Sequence, residues 1–261
     1  MIKYTKAPLP FQGQKRNWMR FLPDILSRFD EDSVFVDLFG GSGLLSHNIK
    51  YNKPNSTVIY NDFDYYVNRL TLIPYTNKLI EILRSIITAP HGTRISEEEK
   101  ELIIYVIRSY PQVDYDTIGT ILLFSGRGCR GLEDLVNEKL WSKIPKKNYS
   151  SEGYLDGVRI THHDYKMLLN LYSGHPNVVF VADPPYTNTD MKRYHGDSFS
   201  KGDLAELCFS LAKENFIFFT SEKSHNYQWL DFCEKIQFRS GVNYNASYID
   251  VCFINKKTLT K

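Results

Sequence analysis

Val34-Phe35-Val36-Asp37-Leu38-Phe39-Gly40-Gly41-Ser42-Gly43 is the stretch whose reading decides the fold. Three apolar residues in a row, closing on an aspartate, read as a buried strand. The glycines that follow let the backbone turn tightly and approach a ligand closely. A helix beginning beyond the turn would present its N-terminus to a carboxylate or phosphate. The dinucleotide fingerprint is absent, because Ser46 stands where its third glycine would fall.

Similar runs recur along the chain. Thr57-Val58-Ile59-Tyr60-Asn61-Asp62 and Val178-Val179-Phe180-Val181-Ala182-Asp183 are continuous and apolar, as in a parallel sheet covered on both faces. Phe216 to Thr220 is a fourth strand, Gly157 to Thr161 a weaker fifth, and Tyr248 to Ile254 a late one. Between them lie helical patterns. Lys15 to Leu26 reads as one helix disturbed by Pro23. Ser200 to Asp203 has capping-box spacing ahead of Leu204, Leu207 and Leu211. Alternating strands and helices predict a doubly wound α/β sheet.

Residues 70–155 break that rhythm and show no clear buried strand. A helix starts near Ser96 with Leu102, Ile103, Val106 and Ile107 on one face. A Gly/Arg-rich loop or hairpin follows, Phe124 to Leu132. The expectation is an inserted, mainly helical domain, with 1–69 and 156–261 forming the other. From Arg127 to Lys147 the insertion carries Arg127, Arg130, Lys139, Lys143, Lys146 and Lys147 against Glu133, Asp134 and Glu138. That excess suits a phosphate backbone. On charge alone an ordinary solvated surface explains it better.

The 261 residues allow one large domain or a domain with an insertion. A net charge of +2 neither demands nor excludes nucleic acid. No apolar run approaches the roughly 20 residues of a membrane helix. Met1-Ile2-Lys3-Tyr4 has no apolar signal core, so a cytoplasmic location is expected. Cys129, Cys208, Cys233 and Cys252 read as reduced thiols in packed positions. His47, His91 and His225 have no partner pattern, and His162-His163 would point to opposite faces of an extended segment. No metal site is expected. The 18 tyrosines are read chiefly as core filling.

Three segments carry chemistry. The glycine turn is the first. Asp62, at the end of the next strand, stands about 20 positions on, where an acid can accept from ribose hydroxyls. Helix capping is the commoner role of such an aspartate. The third is Asp183-Pro184-Pro185-Tyr186. Two prolines cannot continue a central strand, so they form a stiff turn at the sheet's carboxyl edge. That turn gathers a carboxylate, a rigid carbonyl and an aromatic ring. The set suits methyl transfer to an exocyclic amine, whose lone pair is conjugated with its ring. Hydrogen bonds from the amine to Asp183 and to the Pro184 carbonyl would localise the lone pair and stabilise the charge that develops. Tyr186 would stack on a base taken out of the duplex.

In this order the segments resemble the Dam family of DNA adenine-N6 methyltransferases, the α arrangement of amino-methyltransferases. The resemblance runs over most of the chain. It begins at Pro10-Phe11-Gln12-Gly13-Gln14-Lys15, with Leu22-Pro23 further on. It implies a Rossmann-like methyltransferase sheet that binds S-adenosyl-L-methionine, with the insertion serving as target-recognition domain. Phe11, Gly13, Lys15, Asp37, Phe39, Gly41, Gly43, Asp62, Asp164, Tyr165 and Asp183 are the implied cofactor residues, Lys15 meeting the methionine carboxylate. Asn61-Asp62 with Asn68 matches the ribose segment, and Asp164-Tyr165 the pair beside the cofactor adenine. Tyr194-His195 and Ser198-Phe199 match a stretch that borders the target base.

Arg127-Gly128-Cys129-Arg130-Gly131-Leu132 resembles the family's recognition hairpin. Arg127, Arg130, Lys143, Lys146, Lys147 and Tyr194 are therefore the implied DNA contacts. The implied partner is double-stranded DNA, bound by a monomer or by a dimer on DNA, with a cognate restriction enzyme as a further candidate. Two departures stand out. Trp141-Ser142-Lys143-Ile144-Pro145 replaces the Pro-Phe-Gly-Arg of GATC-specific members, and Ser221-Glu222 stands where relatives often have Ser-Asn. Other readings are the same chemistry on RNA, cytosine N4 or a protein amide, and a decayed homologue that only binds nucleic acid. The presence of Lys15, Asp62, Asp183 and Tyr186 argues against decay.

Overall fold

A computed structural model of the chain describes residues 1–124, 126, 128–185, 199–221, 244–247 and 250–255. In chain order these form a 3-10 turn, Arg16–Trp18, then α1 Leu22–Leu26, β1 Val34–Asp37, α2 Leu44–Asn52 and β2 Thr57–Asn61. Next come α3 Tyr66–Thr71, α4 Ile73–Ile86, α5 Glu97–Ser109, α6 Tyr115–Leu122 and α7 Leu132–Val136. The chain continues with β3 Arg159–Thr161, α8 Tyr165–Tyr172, β4 Val178–Ala182 and α9 Lys201–Leu211. It ends with β5 Asn215–Ser221, β6 Tyr244–Ser247 and β7 Asp250–Asn255. Two compact units result. One holds residues 1–6, 13–66 and 153–261, the other 7–12 and 67–152.

The first unit is built on one seven-stranded sheet in the order β3-β2-β1-β4-β5-β7-β6. The first five strands run parallel. β7 lies antiparallel to both of its neighbours, β5 and β6. The apolar strands form a parallel sheet because helices cover it. Val36, Ile59, Phe180 and Phe218 from the sheet pack with Leu168 and Leu169 of α8 and with Leu204, Leu207 and Leu211 of α9. In register, Asp37 stands opposite Tyr60 on one side and Val181 on the other. The strand order reverses between β1 and β4. This is the switch point beyond whose carboxyl ends such sheets bind ligands. The glycine turn and Asp183 leave β1 and β4 there.

The second unit has its own core. Leu79, Ile80 and Leu83 of α4 pack with Ile103 and Ile107 of α5, Ile118, Ile121 and Leu122 of α6, and Leu135 of α7. Ser96 caps α5 in a full capping box with Glu99. Antiparallel bridges Arg94 to Trp141 and Leu123 to Leu140 complete the unit.

Several expectations need correction. Lys15 to Leu26 is not one helix. It is the short 3-10 turn and then α1, with Pro23 in the first turn of α1. Proline has no N–H to continue a helix but fits its start. The buried face of α5 is Ile103, Ile104 and Ile107, while Leu102 is 48% exposed. The weak fifth strand is shorter than its pattern, because Leu155 and Gly157 adopt positive φ just ahead of it. Residues 7–12 cluster with the helical unit. There Arg69 donates to Pro10 O at 3.0 Å and pairs with Asp114, the cap of α6. Tyr248 and Ile249 of the late strand lie outside the described residues.

Candidate active site

Asp37 ends β1 in full burial. Its Oδ2 accepts from Ser46 Oγ at 2.6 Å, while Oδ1 has no hydrogen-bond partner. Burial drives the carboxyl up to about 7; the Ser46 bond opposes that shift and the charge of Asp183 adds to it. Ser46, which spoils the dinucleotide pattern, is thus the residue that orients Asp37.

The turn after β1 is tightly specified. Gly41 and Gly43 have φ of 49° and 74°, the left-handed region that glycine tolerates. At Gly40 a Cβ would lie 2.1 Å from Cδ2 of Tyr60, so no larger residue fits beneath that ring. Asn61, at the end of β2, donates to Leu38 O at 3.0 Å and to His163 O at 2.8 Å. It ties the start of the turn to the segment after β3.

On the other side of the switch point, Lys15 Nζ lies 2.5 Å from Asp183 Oδ2 and donates to Gly13 O at 3.1 Å. Gly13 has φ of 86°, which lets the chain fold back under the lysine. Pro184 is buried and Pro185 half-buried. Phe39, Tyr165 and Phe199 form an aromatic wall beside the glycine turn. The ring of Phe39 lies 5.0 Å from Tyr165 and 5.7 Å from Phe199. Asp164 caps α8 through the N–H of Lys166 and is exposed. Lys166 in turn pairs with Asp203 and Glu206 of α9.

Of the two roles weighed for Asp62, the structure shows the capping one. The aspartate is fully buried. Oδ1 accepts from the N–H of Tyr66 at 2.6 Å, at the start of α3, and lies 2.9 Å from the Tyr60 hydroxyl. Asp62 thus holds the first N–H of α3.

The residues expected to contact DNA separate. In the second unit Arg130 is exposed, and its backbone N–H donates to Asp134 Oδ2 at 2.7 Å. Lys146 and Lys147 are exposed. Lys143 is instead turned inward, donating to Leu123 O at 3.2 Å and to Phe124 O. Its ammonium faces two backbone carbonyls just past the end of α6. Phe11 belongs to this second unit as well. Arg127, Tyr186, Tyr194, His195, Ser198 and Glu222 lie outside the described residues, as do Cys233 and His225. Cys129, Cys208 and Cys252 are buried. His91 is exposed and His47 fully buried. No helix among the described residues is long and apolar enough to cross a membrane.

Sequence reasoning missed Ser46, Tyr60 and Tyr154. The signal for Ser46 was its place in the first turn of α2, nine positions after Asp37. Tyr154 reaches the glycine turn from 112 positions away, which no local pattern reveals.

A parallel sheet with this switch point, a glycine turn on one side and a charged Asp-Pro-Pro turn on the other, defines a Rossmann-like methyltransferase fold. The comparisons agree. A family model described as D12 class N6 adenine-specific DNA methyltransferase matches residues 11–101. A Haemophilus influenzae protein named "Putative methyltransferase" is 36% identical over 241 residues, covering 89% of this chain and 81% of its own. The chain belongs to the D12 class N6 adenine-specific DNA methyltransferase family. Among solved structures, a precorrin-6y C5,15-methyltransferase from Geobacter metallireducens covers 95% of the chain and 94% of its own at 10% identity, with a TM-score of 0.40. At that level the fold rests on the strand order and not on the likeness.

Proposed function

We propose that the chain transfers a methyl group from S-adenosyl-L-methionine to N6 of adenine in double-stranded DNA, after flipping the base. The observation that carries the reading is the pair of sites at the switch point: the unpartnered, buried Oδ1 of Asp37 and the Lys15–Asp183 ion pair across from it. A buried carboxylate oxygen without a donor can accept from a cation. The ammonium of a methionine moiety is such a group, and Lys15 suits its carboxylate. The wall of Phe39 and Tyr165 suits a purine. Asp62, just past the end of β2, suits ribose hydroxyls. The residues present therefore fit this cofactor.

When bound, the cofactor supplies an electrophilic methyl on a sulfonium. The chain supplies the rest. Asp183 and the Pro184 carbonyl accept from the two N–H bonds of the amine, which makes its lone pair available. Lys15 fixes the Asp183 carboxylate by direct contact. Tyr186 follows Pro185 and is the ring assigned to stack on the flipped base. Target recognition is assigned to the helical unit over residues 67–152, with Arg127, Arg130, Lys146 and Lys147 for DNA. The family points to DNA as the substrate.

The test is incorporation of labelled methyl into unmethylated duplex DNA, run beside RNA under the same conditions. Label in DNA alone is the expected result. Label in RNA alone overturns the reading.

A further inference from the structure

Two tyrosine hydroxyls donate to consecutive carbonyls of the glycine turn. Tyr60 reaches Gly41 O at 2.7 Å, and Tyr154 reaches Ser42 O at 2.8 Å. The peptide joining Ser42 to Gly43 is held at its other end too, since the N–H of Gly43 donates to Gly40 O at 2.7 Å. The turn is thus clamped from β2 and from the segment that enters β3. Burial holds both phenols well above their ordinary range, so each remains a donor.

Tyr154 is itself built into place. Its ring stacks on His47, with centroids 4.8 Å apart, and meets Tyr4 edge-on at 4.8 Å. Nδ1 of His47 accepts from the N–H of Leu155 at 3.1 Å. The ring proton therefore sits on Nε2, which donates to Ile2 O at 2.8 Å. Leu155 has φ of 64°, an outlier for a bulky side chain. Its methyl Cδ2 would lie 3.0 Å from a Cβ at Gly43. Strain of this kind persists where the surroundings over-determine the backbone, and it gathers at ligand clamps.

We propose that Tyr154, with Tyr60 beside it, is a positioning residue that presets the glycine turn for the methyl donor and so sets donor affinity rather than the rate of methyl transfer. The proposal rests on the reading of that turn as the S-adenosylmethionine site. The hydroxyl of Tyr154 acts through the Ser42 carbonyl. A turn ordered in advance removes the cost of ordering it on binding. Tyr60 shares its hydroxyl with Asp62, so Tyr154 gives the cleaner test.

Tyr154→Phe keeps the ring and its stacking on His47 and removes only the donor. S-adenosylmethionine binding is measured by calorimetry on wild type and variant, and methylation kinetics with duplex DNA on both. Losing one buried hydrogen bond should raise the donor Kd and KM by about threefold to tenfold. Turnover at saturating donor and the KM for DNA should stay at wild-type values. Unchanged donor affinity in the variant, beside normal binding by wild type, overturns the proposal. A matched loss in turnover and DNA affinity also overturns it, since that marks a general structural role. Failure of wild type to bind the donor overturns the underlying reading instead, and the proposal with it.

Discussion

Asp37 holds its proton unusually well because burial takes its carboxyl out of water, and the charge of Asp183 adds to that. The folded-state value is about 7, against 3.8 for the unperturbed group. Its contribution to folding is therefore full at pH below the unperturbed value and is lost as pH rises through 7. A cation delivered to Oδ1 favours the ionised form, so donor binding should expel that proton. At pH 6, calorimetry in buffers of different ionisation enthalpy should report release approaching about one proton. Above pH 8 it should report almost none. Zero release at both values would show that Asp37 does not meet the cation. Asp62 makes a second residue-scale prediction. Asp62→Ala should weaken donor binding about tenfold or more, as for hydrogen bonds to a charged group. An unchanged donor Kd would assign Asp62 to capping α3 alone.

Among the elements, the glycine turn has the least room for change. Gly40→Ala sets a methyl against the buried Tyr60 ring, which also holds Gly41 O. Overpacking of this kind costs about 1–3 kcal/mol, visible as a lower unfolding midpoint in denaturant. Donor affinity should fall with it. An unaltered midpoint would show that the ring moves aside at no cost.

The core strands were legible because continuous apolar runs bounded by polar ends have few other uses. The capping box at Ser200 and the helix start near Ser96 were legible because their geometry is local. What was hidden depended on distant partners. β6, at Tyr244–Ser247, carries no apolar run and exists by pairing with β7. Lys143 reads as a surface cation until the carbonyls of Leu123 and Phe124 are seen beside it. Of the candidate site, the glycine turn, Lys15 and Asp183 were visible as motifs. Tyr154, His47 and Leu155 were not, since their roles come from contacts between separate segments.

In the whole molecule, two units each close a core of their own, one around the sheet and one among helices α4 to α7. This division suits a separation of chemistry from target reading. Arg130, exposed in the helical unit, belongs to the second task in this account. Arg130→Ala should reduce discrimination between cognate and altered DNA sites by about tenfold or more, the value of one good base contact. A loss of affinity equal across all sequences would assign it to a phosphate.

The proposed chemistry places methylation of adenine N6 at the turn that begins with Asp183. Its most direct measurement treats unmethylated duplex DNA with S-adenosylmethionine and either wild type or Asp183→Ala. Modification-sensitive sequencing then reads the base, the atom and the site. Wild type should leave N6-methyladenine at a defined sequence. The variant should leave none, while donor affinity stays within about tenfold because Asp183 acts chiefly in the transition state. Substantial methylation by Asp183→Ala, or modification of another base by wild type, would contradict that chemistry.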